Sequence, residues 1–216
     1  MGQITATLLR DQLPSGDSIL AVMGGTTMAA VAETLTEDLA ENRQLTFVPA
    51  RGGMGESPEI QANTVCAKMA TATNSRYQAL YLPELTSAAT YSTLSQEPMI
   101  ARTLTTISHA NVAIHCVGDA MAMAKRRQMP TDVTDTLRER NAVGEAFGDF
   151  FDGNGEIVYR VPRLGLSISD LDRMDLVIAV AGGHTKADAV EAYFKIPPAA
   201  TYLVTDEGLA DKILKK

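Results

Sequence analysis

Four short segments of this chain carry residue types that hold an oxyanion. They are Met23-Gly24-Gly25-Thr26-Thr27, Ala50-Arg51-Gly52-Gly53-Met54-Gly55, Gly118-Asp119 with Lys125-Arg126-Arg127 shortly after, and Gly182-Gly183-His184-Thr185-Lys186. Each follows a short apolar run. Glycines at such turns let backbone N–H groups approach a ligand closely, and a helix that begins there adds partial positive charge. Threonine hydroxyls supply more donors, and each hydrogen bond to a charged group contributes about 1.5–3 kcal/mol net. A phosphate held by several of these and by a guanidinium therefore reaches micromolar affinity. The same features also have structural uses: Gly-Gly closes a tight turn, Thr caps a helix, and a Lys-Arg-Arg run is usually a wet helix face. Arg51 and Lys186 fit that second account least, because a solvated cation has no structural task in a glycine-rich loop.

Candidates for bond-breaking chemistry are few. The first loop lacks G-x-G-x-x-G, and the chain contains neither G-x-x-x-x-G-K-[ST] nor G-x-S-x-G. Arg51 stands where an NADP 2′-phosphate partner would, but without the accompanying glycine fingerprint. His184 could serve as an acid or base, or only donate to a ligand. Asp119, Glu145, Asp206 and Glu207 lie near strand ends, and the last two could simply open a helix. No nucleophile–base pair emerges. His109, His115 and His184 have no metal-ligand spacing, and Cys66 and Cys116 are too far apart in sequence for a CxxC site. The expectation is no metal, no cofactor and two buried thiols.

Elements that would position these loops alternate along the chain. Strand-like runs are SILAV (18–22), LTFVP (45–49), YQALYL (77–82), NVAIHCV (111–117), DLVIAVA (175–181) and TYLVT (201–205). Helical spacing falls on residues 4–12, TMAAVAETLTEDLA, PEIQANTVCAKMAT, 87–108, 118–128 and KADAVEAYFK, and Asp206 or Glu207 could begin a last helix. This alternation predicts one α/β domain over 1–216: a Rossmann-like, doubly wound, largely parallel sheet whose ligand crevice lies at the carboxyl ends of the strands. Aromatic runs on either side of Asp152-Gly153-Asn154-Gly155 predict a β-hairpin insertion.

Net charge is −7 and the sequence pI about 5.0. An acidic chain with no helix-turn-helix ahead of its first helix should not hold duplex DNA tightly by itself. No apolar run reaches the length of a membrane span and no signal peptide opens the chain, so the expected location is cytoplasmic.

The segments VMGGTTMAAVAE, FVPARGGMGE, QANTVCAKMA, GEAFGDFFDGNGEIV, IAVAGGHTKADAVEAYFK and VTDEG resemble the effector-binding domain of the SorC/DeoR-like family of bacterial sugar-responsive regulators. The likeness runs from about Gln3 to Leu214. It implies a non-catalytic Rossmann-like domain related to sugar-phosphate isomerases and CoA transferases. By the same resemblance, the domain belongs to a homo-oligomeric repressor of a glycolytic operon that meets operator DNA through an N-terminal winged helix-turn-helix missing from this chain. It also implies a sugar-phosphate effector, fructose 1,6-bisphosphate, held by Thr26, Thr27, Arg51, Arg126, Glu145 and Lys186. Glu145 comes from the resemblance alone; the loops themselves add Gly25, Gly52, Gly183 and His184. His184 departs from the small residue expected there and would narrow the pocket or add a donor. An isomerase or deaminase on a related fold is the alternative function.

Overall fold

The computed structural model describes residues 1–53, 57–83, 88–162, 164–196 and 201–215. Met54, Gly55 and Ser87, each part of a sequence expectation, lie outside them. The order is α1 (Gly2–Gln12), β1 (Gly16–Val22), α2 (Thr26–Ala32), β2 (Arg43–Pro49), α3 (Ala62–Ala72), β3 (Arg76–Tyr77), α4 (Ala88–Leu94), α5 (Pro98–Ser108) and β4 (Val112–His115). There follow β5 (Gly118–Asp119), α6 (Ala120–Arg126), α7 (Thr131–Glu139), β6 (Ala142–Ala146), β7 (Asp149–Asp152), β8 (Ile157–Arg160), β9 (Leu176–Val180), α8 (Ala187–Tyr193), β10 (Thr201–Val204) and α9 (Glu207–Leu214).

Six strands form a parallel sheet in the order β3-β2-β1-β4-β9-β10. Strand order therefore reverses between β1 and β4, and β1 runs in register with β2 from Gly16 opposite Arg43 to Val22 opposite Pro49. This is the doubly wound order, with its crevice at the reversal point. The period-2 alternation of strands sorts side chains into two layers. Leu20, Val22, Phe47, Val112, Ile114, Ile178 and Val180 pack with Leu9, Met28, Val31, Val65 and Met69 from α1, α2 and α3. On the opposite face Ala21, Ala113, Ala179 and Ala181 meet Ile107, Val190, Tyr193, Phe147 and Phe151. Small side chains on that face let the second layer lie close.

The predicted hairpin is half of a larger unit. An antiparallel sheet of order β5-β6-β7-β8 stands apart from the main sheet, with Phe150 and Val161 packed against Ala120, Ala124 and Leu137 of α6 and α7. The predicted turn at 152–155 joins β7 and β8. The turn joining β6 and β7 places both Phe147 (φ 53°) and Gly148 (φ 75°) at positive φ, as a two-residue hairpin turn requires. A buried aromatic residue in that conformation is strained.

Candidate functional site

Where the sheet order reverses, the loops after β1, β2 and β4 meet the small sheet and line a cleft of about 100 Å³. Its walls include Gly25, Thr26 and Thr27 from the β1–α2 turn, Arg51 and Gly52 after β2, Cys116 and Gly118 after β4, and Lys186 beyond β9. The small sheet contributes Glu145 and Phe147, and α6 and its end contribute Met123, Arg126 and Arg127. Eight of the ten residues singled out in the sequence line this one cleft; Gly183 and His184 do not.

The double glycine has two separate local reasons. A Cβ on Gly24 would lie 2.6 Å from the Ile60 carbonyl oxygen, whereas Gly25 adopts φ 119° with open space where a Cβ would be. This geometry brings the first turn of α2 against the Ile60–Ala62 segment, and the Gly25 amide donates to Ile60 at 2.8 Å. Gly52 has its own close approach, since a Cβ there would sit 2.7 Å from both the Leu82 and Pro83 carbonyl oxygens.

Among the lining residues, four are cationic (Arg51, Arg126, Arg127, Lys186) and one is anionic (Glu145). Three of these five are buried together. Arg127 Nη2 donates to Glu145 Oε1 at 3.0 Å, Arg51 Nη1 lies 4.0 Å from the same oxygen, and the Gly148 amide also donates to it. The side chains of Arg51 and Arg127 are 1% exposed and that of Glu145 4%. Arg51 is thus no solvated loop cation: it lies beneath the cleft against Gly148, where a Cβ would come within 2.4 Å of Nη1. Arg126, more exposed on the same helix, has its guanidinium pKa lowered by burial and by the neighbouring Arg127 charge.

Lys186, Thr27 and Cys116 all line the cleft. Burial pushes the Cys116 thiol up to about 11, while the Lys186 ammonium and the Thr27 hydroxyl pull in the opposite direction. At neutral pH that sulfur is a thiol and a poor nucleophile. The glycine-rich loop before Lys186 is tied elsewhere: the Gly183 amide donates to Asp206 Oδ2 at 2.7 Å, and the Leu209 and Gly183 amides hold the Asp206 carboxyl below its usual range. His184 is exposed on this loop. It is not among the residues lining the cleft.

Arg127, read in the sequence with the Lys125-Arg126-Arg127 run, lines the cleft as well, as do Gln61 and Phe147, which the sequence did not mark. The Lys125-Arg126-Arg127 run held a signal for the first: successive helical residues point about 100° apart, so a triplet at a helix end cannot all face water.

Directly below the cleft, fully buried His115 packs against Phe147 with ring centroids 4.7 Å apart. Its Nδ1 lies 3.3 Å from the Cys116 carbonyl, which can only accept, so Nδ1 carries the proton and Nε2 accepts from the Tyr193 hydroxyl at 2.9 Å. Burial lowers the His115 pKa to about 4, below the ordinary 6.5 of an unfolded chain. The unfolded state then takes up this proton first as pH falls. Stability is fully present above about pH 6.5 and declines toward pH 4 by on the order of 3 kcal/mol from this group. Urea unfolding at pH 7 and pH 4.5 should show that decline in the wild type and a smaller one in His115→Gln; equal declines would contradict the assignment.

The comparisons with known proteins bear on the family and the fold. The family model described as "Putative sugar-binding domain" matches residues 1–215. The chain is 45% identical over its full length to the central glycolytic genes regulator of Bacillus subtilis, of which it spans 62%. A crystal structure from Enterococcus faecalis, described as a "putative SorC family transcriptional regulator", superposes with a TM-score of 0.92 at 49% identity, covering 99% of this chain and 86% of that one. The full-length sorbitol operon regulator SorC of Klebsiella pneumoniae shares the fold at 20% identity, with a TM-score of 0.84 over 99% of this chain and 71% of that one. The chain spans less than two thirds of the curated relatives it matches first. Family match and structural likeness together place the chain in the sugar-binding domain family of SorC-type transcriptional regulators.

Proposed function

We propose that this domain senses a phosphorylated sugar, with fructose 1,6-bisphosphate the leading effector, on behalf of a cytoplasmic, homo-oligomeric repressor of glycolytic genes. One observation carries the reading: a chain of net charge −7 gathers four cations and a single carboxylate around one cleft. That imbalance favours an anion. The hydroxyls of Thr26 and Thr27 add donors for phosphate, and Glu145 supplies an acceptor for a sugar hydroxyl. The Bacillus subtilis relative is named for glycolytic genes, which supports the choice of sugar. Operator DNA would be met by the part of the protein that this chain does not span.

Thermal denaturation with a panel of sugars tests the proposal. Fructose 1,6-bisphosphate at 100 times its Kd should stabilise the chain by about 2.7 kcal/mol, while fructose should leave the midpoint unchanged. The same mixture followed by NMR should show no turnover. A panel in which no phosphorylated sugar raises the midpoint would refute the sensing role, and product formation would establish an isomerase or deaminase instead.

A further inference from the structure

The buried carboxylate in the cleft is held asymmetrically. Among the described residues, the polar contacts of the Glu145 carboxylate converge on Oε1: the Arg127 guanidinium at 3.0 Å, the Gly148 amide, and Arg51 at 4.0 Å. None of these uses Oε2, although Glu145 lines the cleft. Arg127 is itself clamped, with its guanidinium carbon 5.9 Å from the centre of the Phe150 ring and its side chain 1% exposed. So deeply placed a group offers a ligand almost no surface, whereas Arg126 one residue earlier is exposed beside the same cleft. A guanidinium is a planar, rigid donor fork suited to fixing a carboxylate in one orientation, and stacking on an aromatic face fixes the fork in turn.

We propose that Arg127 is a positioning residue for recognition of the sugar part of the effector: it pins Glu145 through Oε1 so that Oε2 accepts from a ligand hydroxyl. It acts on selectivity through Glu145 and not as one more phosphate-binding cation. The inference rests on the sugar-phosphate reading but fails separately from it.

Calorimetric titration of the whole chain with fructose 1,6-bisphosphate and with 1,6-hexanediol bisphosphate, which has two phosphates and no free hydroxyl, separates the roles. The wild type should prefer the sugar by about ten- to a hundredfold, the value of a hydrogen bond to a charged group. Arg127→Met and Glu145→Gln should each remove most of that preference while leaving the hexanediol ligand's Kd nearly unchanged, and the double variant should lose no more than either single one. Should Arg127→Met fold poorly, Arg127→Lys, which keeps the charge but not the fork, should give an intermediate preference. Equal weakening of both ligands by Arg127 substitution would make it a direct phosphate contact and overturn the inference, as would losses that multiply in the double variant. A wild type that binds both ligands equally sinks only this inference; one that binds neither sinks the sugar-phosphate reading as well.

Discussion

Replacing Glu145 by leucine is expected to cost the fold on the order of 3–5 kcal/mol, the penalty for removing one partner from a buried ion pair. The figure follows from burial, not from the number of contacts. Glu145 faces two guanidiniums whose side chains are 1% exposed, so deleting the carboxylate removes a negative charge from beside two cations where water screens little. It also takes the acceptor from the Gly148 amide, in a turn already strained by the positive φ of Phe147. Exposed pairs such as Arg138–Asp135, with side chains 60% and 55% exposed, contribute little by comparison. Urea unfolding followed by circular dichroism would measure the cost. A loss below about 1 kcal/mol would mean that the cluster is hydrated and that its charges do not depend on one another.

Removing either phosphate from fructose 1,6-bisphosphate should weaken binding by on the order of 3–5 kcal/mol, or roughly two to four powers of ten in Kd. Groups suited to phosphate enter the cleft from separate parts of the chain: Gly25, Thr26 and Thr27 on the β1–α2 turn, Arg126 on α6, and Lys186 beyond β9. Arg51, which also lines the cleft, is buried with Nη1 4.0 Å from Glu145 Oε1. Two phosphates can therefore be served at once, and each takes several charged hydrogen bonds with it when it is deleted. Calorimetry with the bisphosphate, fructose 6-phosphate and fructose 1-phosphate checks this. Equal affinities for all three would indicate a single phosphate subsite.

Much of this arrangement was readable from residue types alone. Strands β1, β2, β4, β9 and β10 stand out because a parallel sheet covered on both faces needs continuous apolar runs. The run YQALYL looks the same, yet only Arg76 and Tyr77 pair with β2. Beyond them the Asn63 side chain takes both the amide and the carbonyl of Leu80, at 3.0 and 2.9 Å, in place of a neighbouring strand. No local pattern announces such a substitution by one amide side chain. Helix α7 escaped because TDVTDTLRE carries three threonines and only Val133 and Leu137 to mark an apolar face. The small sheet was half visible: Asp-Gly-Asn-Gly is a strong turn signal, but Phe147-Gly148 is not, since an aromatic residue rarely takes positive φ.

At the site, glycines and threonines after strand ends marked the correct rim because their usefulness is local. Burial is not local. Arg51 and Arg127 looked like a loop cation and a wet helix face, and only the meeting of β6 with the end of α6 and the loop after β2 turns them into partners of Glu145. His184 shows the reverse case, a chemically capable side chain in a candidate loop that is exposed and does not line the cleft, while Asp206 accepts from the Gly183 amide beside it.

The central claim is that this cleft binds a phosphorylated sugar through its cations and threonines. Calorimetric titration of fructose 1,6-bisphosphate into the wild type and into Lys186→Ala and Thr27→Val tests it most directly. The account predicts one saturable site in the wild type. It also predicts a loss of about 1.5–3 kcal/mol in the lysine variant, roughly ten- to a hundredfold in Kd, and a smaller loss in the threonine variant. Unchanged affinity in both would place the ligand elsewhere on the molecule and contradict the account.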